Sequence, residues 1–161
     1  MTVNFILNGE DVSLQTEADA RLIDLLRKNF TLPGAKAGCL SGNCGLCFVI
    51  LNGKVVPSCL IPAFRVRGSE IITIEGFSQT DEYQDIIAGF QEAGVACCGY
   101  CDSAKILAAQ ALLERRSRPG REEILDAFSG IICRCTEPES LAAGISATAD
   151  IRQQRRYGRG V

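Results

Sequence analysis

The chain of 161 residues contains no histidine. Without an imidazole it cannot build a Ser-His-Asp or Cys-His catalytic site, a zinc finger with mixed cysteine and histidine ligands, or a Rieske-type iron–sulfur centre. Any metal that its cysteines bind must therefore be held by thiolates alone.

Long apolar runs and strong net charge are also missing. No segment approaches the roughly 20 apolar residues of a membrane-spanning helix, and the first residues, MTVNFILNGEDV, lack the basic and apolar regions of a signal peptide. The formal net charge of -2 gives no electrostatic footprint for nucleic acid. We therefore expect a folded cytoplasmic protein that neither spans a membrane nor binds nucleic acid.

Cysteine, in contrast, is abundant, with nine residues. A reducing compartment keeps thiols free, and the cysteine density falls short of that of small secreted scaffolds. The cysteines therefore favour metal ligation or redox chemistry over a disulfide framework.

The first half of the chain has the alternating pattern of strands, with a break near Gly76. Asn8-Gly9 and Asn52-Gly53 are hairpin turn signals, and Pro33-Gly34 ends a short amphipathic helix. The pattern predicts a small mixed sheet crossed by one helix. The predicted strands are 3–7, 11–16, 48–51, 54–56 and 71–74, and the predicted helix is 21–29.

The second half has the apolar spacing of helices, which predicts a small helical bundle. Its last ten residues, RQQRRYGRGV, are basic. They are interpreted as a solvated, frayed tail, with a docking segment as the alternative. The predicted helices are 81–93, 103–116, 121–128 and 138–151.

The first cysteine group follows the short helix. Cys39, Cys44 and Cys47 have the spacing C-x4-C-x2-C, and Cys59 lies downstream, which is the plant-type [2Fe–2S] ligand pattern. Glycines between the cysteines would let the backbone wrap closely around a cluster. A zinc site with four thiolates and an ordinary flexible loop remain the alternatives. The glycines of this predicted cradle are Gly38, Gly42 and Gly45.

The second cysteine group lies in two inter-helix loops. Cys98 and Cys101 form CGYC, and Cys133 and Cys135 form CRC. Both loops can lie at one end of a bundle, so the two pairs can meet at one metal centre. Zinc also accepts four thiolates, so this spacing alone does not identify the metal.

Together, GCLSGNCGLC…C and CGYC…CRCT resemble the small iron–sulfur subunit of the molybdenum hydroxylases, the family of xanthine dehydrogenase, aldehyde oxidoreductase and carbon monoxide dehydrogenase. The resemblance covers nearly the whole chain. It implies an α+β fold, with a plant-ferredoxin-like β-grasp domain at residues 1–77 followed by an all-α four-helix bundle at 78–161. It also implies electron transfer from a molybdopterin centre through two [2Fe–2S] clusters to FAD.

The same resemblance assigns the ligands and the partners. Cys39, Cys44, Cys47 and Cys59 would hold the cluster nearer FAD. Cys98, Cys101, Cys133 and Cys135 would hold the cluster nearer molybdenum, with Cys135 close to the pterin. The FAD and molybdenum cofactors would lie in separate medium and large subunits of a heterotrimer that commonly pairs into a dimer of trimers.

The chain departs from the family pattern beside the second group. The family's QCGFCTPG is CCGYCDSA here, so Cys97 stands where a glutamine contacts the pterin, and Asp102-Ser103-Ala104 replaces Thr-Pro-Gly. Cys97 is either a small buried side chain that fills a gap, or a pterin neighbour or alternate ligand. The functional alternatives to an electron-transfer subunit are a stand-alone ferredoxin-like carrier and a thiolate zinc interaction module.

Overall fold

The computed structural model describes residues 1–158, which form five strands and six α-helices, as expected for an α+β protein. The strands are β1 (Thr2–Leu7), β2 (Glu10–Gln15), β3 (Phe48–Leu51), β4 (Lys54–Pro57) and β5 (Glu70–Ile72). The helices are α1 (Leu22–Lys28), α2 (Ile74–Phe77), α3 (Asp81–Glu92), α4 (Asp102–Arg115), α5 (Arg121–Phe128) and α6 (Pro138–Gly158). Short 3-10 turns cover Ser58–Leu60 and Ala63–Val66.

The strands form one mixed sheet in the order β2-β1-β5-β3-β4. Strands β1 and β5 are parallel, and the other neighbours are antiparallel. Both predicted hairpins are present. Asn8 and Gly9 have φ of 52° and 86°, and Asn52 and Gly53 have φ of 48° and 77°, as the two-residue turns of tight hairpins require.

Strand β3 separates two apolar cores. Val49 packs into the core between the sheet and α1, whereas Ile50 packs into the core that α3, α4, α5 and α6 share. Successive side chains of a strand point to opposite faces, so one strand serves both cores. This explains why FVIL is a continuous apolar run rather than an alternating one.

Two predicted boundaries are wrong. Strand β5 ends at Ile72, because Thr73 precedes the short helix α2 and is held by Asn8, whose Oδ1 accepts from the Thr73 backbone N–H at 2.8 Å. Helix α6 continues past Ile151 to Gly158.

The extension of α6 has its cause in ion pairs with α3 and a hydrogen bond with α4. The Arg155 guanidinium lies 2.9 Å from Asp85 Oδ2, and Arg152 donates to the Gln110 side-chain oxygen at 2.6 Å. The frayed-tail prediction is therefore wrong for residues 152–158. Residues 159–161 of the predicted tail lie outside the described part of the chain.

Within residues 1–158, no helix combines the length and the hydropathy that a membrane crossing requires.

Candidate metal centres

The first cysteine group consists of two pairs. Cys39 and Cys44 form the outer pair and lie in the loop between α1 and β3. Cys39 is exposed and Cys44 is buried, and the two side chains are hydrogen-bonded. The backbone N–H groups of Ser41 and Asn43 donate to the Cys39 sulfur at 3.4 and 3.2 Å, and the Cys39 N–H donates to the Cys44 sulfur at 3.4 Å. The loop thus directs several N–H donors at its sulfurs, which stabilises thiolates.

Two of the predicted glycines are explained by close approach within this loop. A Cβ on Gly38 would lie 2.8 Å from the Cys44 sulfur. Gly42 has φ +78°, and its Cβ would lie 2.4 Å from Leu60. A larger residue at Gly38 would displace the Cys44 side chain, and one at Gly42 would displace the Leu60 side chain and strain the backbone.

The inner pair of the first group is Cys47 and Cys59. Both are buried, and they form a small apolar cluster with Ile23 of α1. Fully buried Ser58 holds them in register, because its Oγ donates to the Cys47 carbonyl at 2.7 Å. Sequence reasoning missed Ser58, although a single hydroxyl within the apolar run VVPSCLIP was a signal for it.

The two pairs of the first group differ in acidity. Hydrogen bonds from Ser41, and then from Cys44, lower the pKa of Cys39 to about 6. Burial raises the pKa of Cys47 to about 11, with Cys59 as its hydrogen-bonded neighbour. Thiolates are the metal-binding form, so a metal would displace the proton that the inner pair retains.

The second group is also built from two pairs. Cys98 and Cys135 form an exposed outer pair, and their side chains are hydrogen-bonded. Cys101 is buried, Cys133 is half-buried, and they form the inner pair. Burial raises the pKa of Cys101 to about 12. Burial opposes ionisation of Cys133, but the Cys101 thiol and the N–H groups of Cys135 and Thr136 lower its pKa to about 7.

The pairwise arrangement fits a two-iron cluster. Each iron of a [2Fe–2S] cluster takes two protein ligands, whereas a zinc ion needs all four thiolates around one point. The cysteine donor sets therefore fit [2Fe–2S] clusters better than zinc.

Cys97 lies next to the second group but outside its two pairs. Its side chain is exposed, so the interpretation as a buried gap-filler is wrong. Partial desolvation of its sulfur, and then the Asp102 carboxylate, raise the pKa of Cys97. The thiol thus stays protonated more readily than an ordinary cysteine.

The two cysteine groups meet at one apolar cluster. Cys44 and Leu46 of the first group pack with Cys101, and Cys133 lies against them. A Cβ on Gly45 would lie 2.5 Å from the Gly130 carbonyl oxygen, so only glycine permits this approach of the two loops. The inner pair of the second group thus faces the first group.

Sequence reasoning also missed a buried lysine beside the second group. Lys105 Nζ donates to the Ala96 carbonyl at 3.2 Å and to Thr136 Oγ1 at 2.7 Å, and it lies 3.3 Å from Asp102 Oδ1. The lysine begins the apolar run KILAAQALL and lies on the buried face of α4, which was a signal in the sequence that it is buried.

Comparison with known proteins identifies iron–sulfur proteins as relatives of this chain. Residues 73–146 match the family model described as a [2Fe-2S] binding domain. The chain is 46% identical over 136 residues to the nicotinate dehydrogenase small FeS subunit of Eubacterium barkeri, covering 84% of this chain and 87% of that protein.

Solved structures are similar over the whole fold. Quinoline 2-oxidoreductase from Pseudomonas putida 86 aligns with a TM-score of 0.86 at 31% identity, over 96% of both chains. Aldehyde oxidoreductase from Desulfovibrio gigas aligns with a TM-score of 0.85 at 34% identity, over 96% of this chain and 17% of that one. The cysteine geometry and these similarities agree, and the chain belongs to the family of small iron–sulfur subunits of molybdenum hydroxylases, oxidoreductases related to xanthine dehydrogenase and aldehyde oxidoreductase.

Proposed function

We propose that this chain holds two [2Fe–2S] clusters and relays electrons between a molybdenum centre and FAD during oxidative hydroxylation of a small substrate such as a purine, another N-heterocycle or an aldehyde. The family's cofactors are [2Fe–2S] clusters in the small subunit, with the molybdenum cofactor and FAD in partner subunits. The first cluster would be held by Cys39, Cys44, Cys47 and Cys59, and the second by Cys98, Cys101, Cys133 and Cys135.

The observation that carries this proposal is the shared apolar cluster between the two groups. Cys44 packs with Cys101, and Cys133 lies against them, whereas Cys98 and Cys135 are exposed and lie outside this cluster. Electrons that enter at the outer pair would leave by the inner pair towards the first group. This arrangement supports a relay in which the second group faces the molybdenum subunit and the first group faces the FAD subunit.

The clusters, when bound, supply the one-electron redox change. The chain supplies thiolates at fixed positions, N–H donors to sulfur such as Ser41 and Asn43, and an apolar cluster between the two groups. No side chain of this chain is required as an acid or base. The substrate and the terminal electron acceptor would be set by the partners.

Exposed apolar side chains beside both groups support partner subunits. Tyr100 and Ile132 flank cysteines of the second group and are 57% and 64% exposed. Leu60 and Phe64, beside and beyond Cys59, are 54% and 52% exposed. We assign the first surface to the molybdenum subunit and the second to the FAD subunit of a cytoplasmic complex, a heterotrimer that pairs into a dimer of trimers.

The division into two domains follows from the same proposal. Residues 1–77, with the sheet and α1, would form a ferredoxin-type β-grasp unit, and 78–161 a [2Fe–2S]-binding four-helix bundle. Separate apolar cores on the two faces of β3 support this division.

The experiment that tests the function is metal analysis followed by EPR. Anaerobically purified chain is expected to contain about four irons and four acid-labile sulfides, and to give two distinguishable signals after reduction with dithionite. Zinc in place of iron, or a single cluster in fully loaded protein, would overturn the assignment.

A second measurement separates a subunit from a free carrier. A subunit is expected to co-purify with two larger chains, one of them with bound FAD. A stand-alone ferredoxin would elute as a monomer, and the exposed apolar surfaces around Tyr100 and Leu60 would then have no partner.

A further inference from the structure

Lys105 is the largest fully buried side chain of the described residues, with 2% of its side chain exposed. Lysine carries a strongly hydrated charge and is almost never fully buried without partners. The burial of this side chain on α4 therefore needs an explanation beyond packing.

The groups around Lys105 Nζ are all acceptors. They are the Ala96 carbonyl, Thr136 Oγ1 and Asp102 Oδ1, at 3.2, 2.7 and 3.3 Å. The Thr136 hydroxyl uses its own proton to donate to the Ala96 carbonyl. Two hydrogen bonds and an ion pair with the Asp102 carboxylate surround the ammonium group, so the site suits a charged lysine.

Each of these acceptors lies close in sequence to a cysteine of the second group. Ala96 comes two residues before Cys98, Asp102 follows Cys101, and Thr136 follows Cys135. One ammonium thus joins the CGYC loop to the CRC loop. The backbone of Lys105 is fixed as well, because its N–H donates to the Cys101 carbonyl at 3.1 Å.

We infer that the buried positive charge of Lys105 raises the reduction potential of the cluster held by Cys98, Cys101, Cys133 and Cys135. The negative charge of Asp102 partly cancels this effect. This inference rests on the proposed function. Reduction of a bound cluster would add one electron, and so one negative charge, to the group held by these cysteines, with no bond broken and no proton transferred. A fixed cation in a water-poor site stabilises that more negative state more strongly than the oxidised state.

Asp102 opposes the lysine. Its Oδ2 accepts from the Gly99 N–H at 2.5 Å, inside the CGYC loop, and its side chain is 17% exposed. Removing the lysine charge and removing the aspartate charge must therefore shift the potential in opposite directions. Structural damage to the site would not produce this opposition of sign.

The test is an EPR-monitored redox titration, with dithionite as reductant, of the cluster-loaded full chain as wild type, Lys105→Met and Asp102→Asn. We expect Lys105→Met to move the reduction equilibrium of one of the two clusters at least tenfold towards the oxidised form, about 59 mV for one electron. Asp102→Asn should move the same cluster the other way. The matched controls are Lys28→Met and Asp24→Asn, an exposed lysine–aspartate pair on α1, which should leave both clusters unchanged.

The outcomes are separable. Wild-type protein without two [2Fe–2S] signals would overturn the proposed function. Two wild-type signals with unchanged potentials in a fully loaded Lys105→Met variant would overturn this inference alone and leave Lys105 as a structural link between loops. If Lys105→Met fails to load iron, Asp102→Asn decides, because an unchanged or lowered potential in that variant contradicts the inference.

Discussion

The backbone carbonyl of Cys44 accepts a hydrogen bond from the backbone N–H of Ile132, with 3.1 Å between nitrogen and oxygen. This bond joins the first cysteine loop to the residue that precedes Cys133 in the second group. The relay that we propose depends on this contact between two segments almost ninety residues apart. Its geometry permits a direct test.

Gly45→Ala is expected to disturb this junction. The new Cβ would lie 2.5 Å from the Gly130 carbonyl oxygen, and the residue has φ +71°. We expect the free energy of unfolding to fall by about 1–3 kcal/mol. Thermal unfolding of the loaded protein measures it, and Gly53→Ala is the control because it has φ +77° but no atom within 4 Å. Equal losses in the two variants would mean that the close approach imposes no constraint.

Two adjacent cysteines are expected to behave differently. Cys97→Ala should retain both clusters, because Cys97 is outside the hydrogen-bonded pairs. Cys98→Ala should lose about half of the iron, since a thiolate ligand of the second cluster is removed. Iron and acid-labile sulfide analysis measures both. Iron for only one cluster in Cys97→Ala would refute the ligand assignment.

Gly89 sets the distance between α3 and α6. A Cβ at this position would lie 2.2 Å from Thr148 Oγ1 and 2.8 Å from the Gly144 carbonyl oxygen. Gly89→Ala is therefore expected to separate the two helices and to cost about 1–3 kcal/mol of unfolding free energy. Chemical denaturation measures the cost. Gly130→Ala is the control, since its Cβ would meet nothing within 4 Å, and a cost for Gly89→Ala no larger than that of this control would contradict tight packing.

The pair between Arg121 and Glu139 predicts a pH dependence. Hydrogen bonds from Arg121 lower the pKa of Glu139. Because the folded-state pKa lies below the unfolded value, the pair stabilises the protein above the unfolded-state pKa, and this contribution is lost as the pH falls through the folded-state pKa.

The measurement is the melting temperature of wild type and Glu139→Gln against pH. We expect a small difference near neutral pH that disappears in acid and shrinks at high salt, since both side chains are exposed. Glu137→Gln, a neighbour with no ion pair among the described residues, serves as the control. A difference that persists in acid would show that the pair does not act through the Glu139 charge.

The hairpins and the cysteine groups could be predicted from the sequence because their signals are local. Asn8-Gly9 and Asn52-Gly53 favour one turn type by backbone sterics, and a C-x4-C-x2-C spacing leaves a loop few ways to present its sulfurs together. Resemblance to the family then gave the assignment of the chain.

The remaining features depend on contacts between distant segments. The length of α6 is determined by Arg155 meeting Asp85 on another helix, which no local pattern contains. The pairing of Cys98 with Cys135, and the burial of Lys105 between two loops, likewise arise only after the helices pack. Sequence spacing predicted the cysteine sets but could not show which cysteines are neighbours within each set.

Strand β3, with Val49 facing one core and Ile50 the other, has a consequence for folding. A slip of one residue in its pairing with β4 and β5 would send Val49 to the helices and Ile50 to α1. Both halves of the protein would then be mispacked at once. The register of β3 therefore couples the two halves, since neither half can reach its final packing unless the strand is also aligned correctly for the other. The same register sets the position of the cysteine loop that runs directly into β3.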